Sequence, residues 1–218
     1  MKSFAILMLL SGGMLLAKAQ GIESIGIKAG VSLSTQSTIY SGGLDNKYTA
    51  DYKPGVYVVL SAELFKTKYL SLVTDLGYIQ KGMQQSMPLT TPEQPEGTGE
   101  IIDVKTTFGY LTLSPMLKGF YSFGKLTPYA LFGPRIEYRL HEHTDRGIES
   151  YNDGNKLIFG LTYGLGAEYR VNKLGILLEM QGQPDLSYVI HTQAAEGSFG
   201  VKVKDNSFVF TTGLVFHL

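Results

Sequence analysis

Any chemistry in this chain has to come from a small set of residues. His141, Glu142, His143 and Asp145 form the densest group of bases and metal donors, with His191 in a separate polar stretch. His141-x-His143 places two imidazoles on one side of an extended segment, a spacing that suits a metal if Glu142 or Asp145 joins them. The same groups are the candidates for a general base. A charged loop rim explains the run more simply, and one sequence cannot place a Ser or Asp partner. No catalytic, cofactor-binding or metal-binding residue is therefore assigned.

Other chemistries are closed off by composition. The 218 residues include no Cys, which removes disulfides, thiol catalysis, thiolate metal sites and a lipidated cysteine anchor. The 19 basic residues balance the 19 acidic ones, so no basic field recommends nucleic acid as a partner. Gly12-Gly13 sits in an apolar N-terminal run and Gly42-Gly43 reads as a loop turn, so neither makes a phosphate cradle. Tyr40, Tyr48 and Tyr52 read as interfacial aromatics, and Pro88, Pro92 and Pro95 mark a solvated loop.

The elements that carry these residues follow one rhythm. Alternating apolar and polar stretches are joined by connectors that are by turns tight and long. The tight ones lie near Phe65–Lys68, Ser122–Lys125 and Val171–Lys173. The long ones run roughly Thr35–Lys53, Gln84–Glu100, His141–Asn155 and Ser187–Asn206. Sorting of loop length by parity is the signature of an up-and-down barrel that crosses an outer membrane, with short periplasmic turns and long outer loops.

The predicted fold is all-β, an eight-stranded antiparallel up-and-down transmembrane β-barrel. Period two sets the faces. In the sixth stretch Leu157, Phe159, Leu161, Tyr163, Leu165, Ala167 and Tyr169 oppose Gly160, Thr162, Gly164, Gly166, Glu168 and Arg170. The same reading sends ten charges to the polar face: Lys28, Glu63, Asp75, Lys118, Arg135, Glu137, Arg139, Glu168, Arg170 and Glu179. Rows of Leu, Phe and Tyr around eight strands would overfill a small interior but suit a lipid-facing band. The apolar face is thus expected outside, and the balanced charges are expected to pair in a sealed lumen.

Residues 1–19 read as a secretory signal peptide. Lys2 supplies the positive start, Phe4 to Leu16 the apolar run, and Ala17-Lys18-Ala19 the small residues at a cleavage site. Residues 20–218 form the barrel domain, with both ends of the mature chain in the periplasm.

The last eight residues, Thr211 to Leu218, read polar-x-Gly-x-x-aromatic-x-apolar. This resembles the C-terminal signal by which the barrel assembly machinery selects its substrates. Five further segments carry a wider resemblance: Gly26 to Leu33, Leu76 to Gly82, Tyr110 to Lys118, Leu126 to Pro134 and Gly164 to Tyr169. In this order the whole mature chain resembles the outer-membrane β-barrel family widespread in Bacteroidetes and labelled PorT-like. The resemblance implies an eight-stranded outer-membrane barrel and supplies no catalytic residues.

The expected function is that of a non-enzymatic surface or envelope protein, or an assembly factor, acting through its long outer loops. The expected partners are outer-membrane lipid, the barrel assembly machinery and other envelope or secretion proteins, with the barrel itself a monomer that needs no cofactor. A small enzyme acting on lipid or peptide at the outer rim, and a narrow channel, are the alternatives.

Overall fold

The computed structural model describes residues 21–41, 46–88, 99, 101–144, 154–192 and 200–218. The signal segment 1–19, Pro92, Pro95 and Asp145 lie outside the described residues. The chain forms β1 (Ile22–Ser41), β2 (Asn46–Thr49), β3 (Lys53–Leu64), β4 (Leu70–Pro88) and β5 (Ile101–Phe120). These are followed by β6 (Leu126–Thr144), β7 (Leu157–Val171), β8 (Leu174–Pro184), β9 (Ile190–Thr192) and β10 (Gly200–His217).

All pairings are antiparallel, and the order is β2-β1-β3-β4-β5-β6-β7-β8-β10-β9. An additional ladder from Ser24↔His217 to Ser41↔Gly200 joins β1 to β10 and closes the sheet into a ring. Closure is a requirement in lipid, where an open edge would leave backbone donors and acceptors without partners. The eight long strands make the barrel. β2 and β9 are short pieces laid on the ends of β1 and β10.

The faces are those read from alternation. Tyr163 is 50% exposed and Leu165 62%, whereas Asp75 and Glu137 on the opposite face are at 0% and 1%. The lipid-facing band has a clear outer limit on β10. Its outward residues are apolar from Phe208 to Phe216, apart from Thr212, whose hydroxyl donates to the Leu177 carbonyl, and polar at Lys202, Lys204 and Asn206.

The expected loop limits are corrected by this boundary. β1 continues to Ser41, β4 to Pro88 and β6 to Thr144, and β10 begins at Gly200, so each strand runs well into a stretch read as loop. A tilted strand needs roughly 9–11 residues to cross the hydrocarbon core, and β1 has 20. Above the lipid band cross-strand hydrogen bonding persists while the outward side chains become polar. The apolar alternation that reveals a strand disappears there.

The three tight turns are as expected. Gly124 takes φ 63°, Phe65 φ 49° and Asn172 φ 56°, so each turn is closed by a left-handed residue. In the first, Thr67 Oγ1 donates to the Leu70 carbonyl at 2.8 Å.

Candidate functional site

The interior of the barrel is the built feature of this molecule, and it is stacked in tiers. At the periplasmic end Lys118 on β5 reaches Glu63 on β3 at 3.0 Å and Glu168 on β7 at 3.9 Å. His217 of β10 lies 2.6 Å from Glu168 and also contacts Arg170.

One level up, Lys28 on β1 bonds Asp75 on β4 at 2.8 Å and Glu179 on β8 at 3.2 Å. The Tyr129 hydroxyl donates to Glu179 at 2.8 Å, and Gln181 donates to the same carboxylate at 2.5 Å. Tyr129 in turn lies over Gly166, where an added Cβ would stand 2.4 Å from its ring.

Nearer the outside, Lys81 on β4 pairs with Glu137 on β6 at 2.6 Å and with Asp185 at 3.3 Å. Arg135 sits 3.0 Å from Glu137, contacts Asp185 and donates to the Leu161 carbonyl at 2.8 Å. Charges so deeply buried are tolerable only with partners this close.

Apolar groups fill the space between tiers, which the polar-lumen expectation did not include. Val73, Met116, Phe120, Tyr129 and Leu131 pack together, and a second cluster gathers Tyr57, Val59, Ile79, Phe108, Tyr110, Ile158, Val189 and Val209. The cavity lined by Lys28, Glu63, Lys118, Tyr129, Glu168 and Glu179 holds only about 20 Å³. That is room for about one water.

Nine of the ten charges assigned to the polar face are buried; Arg170, at the periplasmic mouth, keeps 41% of its side chain exposed. Three members of the network were missed. Lys81 continues the odd-numbered inward parity of β4 from Asp75, and Asp205 continues that of β10 backward from Thr211, so both could have been found by counting in twos. Asp185 lies just past the end of β8, but it continues the odd-numbered inward parity of Glu179, Gln181 and Gln183 and could have been found by the same count.

Asp205 stands apart from the rest. It is fully buried and forms no ion pair among the described residues, and the Gln36 side chain is the polar group set against its carboxylate. It lies above the lipid band, three residues beyond Phe208. Burial, reinforced by the charge of Asp185 and opposed by Lys81, pushes its carboxyl up to about 7.

The histidines form no site of their own among the described residues. A register shift in the β5–β6 ladder leaves Leu140 without a partner in β5 and turns both Leu140 and His141 outward. His141 lies against Gly109 and meets the Tyr78 hydroxyl at 3.3 Å, with the two rings stacked at 6.1 Å. His143 is exposed on the same face, while Glu142 turns inward to Arg139 at 3.4 Å. His191 lies in β9, its backbone paired with Lys202. Among the described residues no three His, Asp or Glu side chains converge as metal ligands.

The other aromatic expectations are met in part. Tyr52 is exposed 6.4 Å from Phe208, at the outer limit of the lipid band, and Tyr48 is exposed on β2. Tyr40 and Pro88 lie at strand ends, in β1 and β4.

Comparison with known proteins agrees with this architecture. The outer membrane protein OprG from Pseudomonas aeruginosa is similar in structure, with a TM-score of 0.51 and 13% identity, over 91% of this chain and 98% of that one. Neisserial surface protein A gives a TM-score of 0.47 and 13% identity over 89% and 97% of the two chains. The outer membrane protease OmpT from Escherichia coli gives 0.47 and 9% over 92% and 98%. No curated protein matches the sequence. At these identities the likeness to solved structures speaks to fold alone. A family model described as outer membrane protein beta-barrel domain matches residues 19–187. An eight-stranded ring with an apolar exterior and an ion-paired interior, matched over most of its length, belongs to that family and resides in the outer membrane.

Proposed function

We propose that this protein is a non-enzymatic, non-conducting barrel that acts at its outer end, as a surface interaction or assembly factor for other envelope proteins in the PorT-like manner. The observation that carries this reading is the sealed lumen. Ion-pair tiers alternate with apolar clusters, and the cavity between Lys28 and Glu168 takes no more than about one water. Among the described residues a lumen so filled leaves no path for a solute. The work is then left to the strands that project past the lipid band and to the loops they carry.

Maturation fits the same reading: residues 1–19 are removed as a signal peptide, and the 20–218 domain is inserted as a monomer by the barrel assembly machinery. The segment that would be recognised, Thr211 to Leu218, is part of the β10 edge that pairs with β1.

The test has two arms. In planar bilayers the folded protein is expected to give no unitary conductance. A photo-crosslinking residue at Ile101 or Tyr48, both exposed at the outer end, is expected to capture envelope proteins in intact cells. Steady channel currents, or crosslinks to lipid alone, would overturn the proposal.

A further inference from the structure

The periplasmic end presents a surface of different character from the outer end. The three tight turns carry Lys66, Lys68, Lys125 and Lys173, and Glu23 is the exposed carboxylate side chain described at this level. Lys66 is partly neutralised by Glu63 at 3.6 Å, which leaves three lysines without a carboxylate partner among the described residues.

These cations sit directly on an aromatic belt. Lys68 lies 5.0 Å from the Tyr69 ring and Lys173 5.8 Å from Phe216. Tyr69 stacks on Tyr121 with centroids 6.0 Å apart, and Phe123 closes against Tyr121 at 4.7 Å. Exposed Phe and Tyr at the end of the lipid band fix the headgroup level, and long lysines reach from there into the phosphate layer. Ammonium groups held around a ring at that depth complement phosphate-bearing headgroups with net negative charge.

We propose that this collar binds anionic glycerophospholipid headgroups of the periplasmic leaflet and so sets the barrel's depth and lipid neighbourhood. The proposal is independent of what the outer end binds. It uses the orientation of the barrel alone, with short turns in the periplasm.

The experiment is native mass spectrometry of the folded barrel released from phosphatidylcholine nanodiscs doped with phosphatidylglycerol. The wild type is expected to retain phosphatidylglycerol in preference to phosphatidylcholine. Each collar lysine changed to Gln should lower that preference roughly fivefold, and the K68Q/K125Q/K173Q triple should abolish it. A control triple of equal charge at the outer end, K47Q/K105Q/K156Q, should leave it intact. Heat-modifiable gel migration confirms that each variant is folded. Equal retention of the two lipids by the wild type, or the same loss from the control triple, would overturn the proposal. So would capture of an acidic periplasmic protein by the collar without lipid selectivity.

Discussion

The two ends of the lumen treat charge differently. In the periplasmic half four cations, Lys28, Lys66, Lys118 and Arg170, meet four carboxylates, Glu63, Asp75, Glu168 and Glu179, and each has a partner. In the outer half, among the described residues, Lys81, Arg135 and Arg139 face four carboxylates, Glu137, Glu142, Asp185 and Asp205, and the last has no ion-pair partner. The balanced half lies inside the lipid band, where water cannot relieve an unpaired ion. The unbalanced half reaches past the band's edge at Asp205, which is as dry as the lower tiers and is relieved by holding a proton instead. The lower tiers thus hold no unpaired ion, and the outer tier keeps a group whose charge state can change with pH.

The largest expected effect comes from breaking the balanced half. Lys28→Met leaves Asp75 and Glu179 buried against one another and should cost about 3–5 kcal/mol. Urea unfolding in detergent micelles reads this as a lower midpoint, and adding Asp75→Asn to the same chain should recover part of the loss.

The outer half should respond in the opposite direction. Asp205→Asn removes an unpaired buried charge and is expected to stabilise the barrel by about 1–4 kcal/mol at neutral pH. The pH dependence follows from the sign of the shift. The Asp205 carboxyl is raised from 3.8 to about 7 in the folded state. Between these values the folded barrel holds a proton that the unfolded chain has lost, so wild-type stability should fall as pH rises from about 4 to 7. Urea midpoints across that range should show the slope in the wild type and a flatter profile in Asp205→Asn. A variant as steep as its parent would break the comparison.

Two glycines sharpen the contrast between inside and outside. Gly166→Ala and Gly182→Ala each drive a Cβ to 2.4 Å from a tyrosine ring, Tyr129 in the lumen and Tyr163 on the lipid side. Tyr129 is held by Glu179, so the inner change should cost about 1–3 kcal/mol in the same urea assay. Tyr163 is free to swing into lipid, and the outer change should cost less. The smallest effect is expected at His141→Ala, within about 0.5 kcal/mol, with no change in zinc binding by calorimetry.

Much of this was legible from alternation. Period two gives the faces of β7 and β10 almost residue by residue, because lipid on one side and a packed lumen on the other enforce it. The inward-facing charges of the lower tiers follow from the same count. What alternation cannot give is the partner of each charge, since that depends on cross-barrel distances between strands far apart in sequence, as for Lys28 and Glu179. It also fails above the lipid band, where both faces are polar. The outer ends of β1 and β10 read as loop, and Asp205 was lost with them. His141 and His143 were correctly placed on one face, but the register shift at Leu140 that turns His141 onto Gly109 leaves no mark in composition.

The ladder between β1 and β10 has a consequence for biogenesis. Its two sides are the first and last strands described, Ile22–Ser41 and Gly200–His217, so the ring has no complete hydrogen-bonded seam until β10 has been delivered. Insertion therefore cannot finish piecemeal during export. A nascent chain halted before residue 200 would expose the whole β1 edge, and proteases would meet an open sheet rather than a leaky pore.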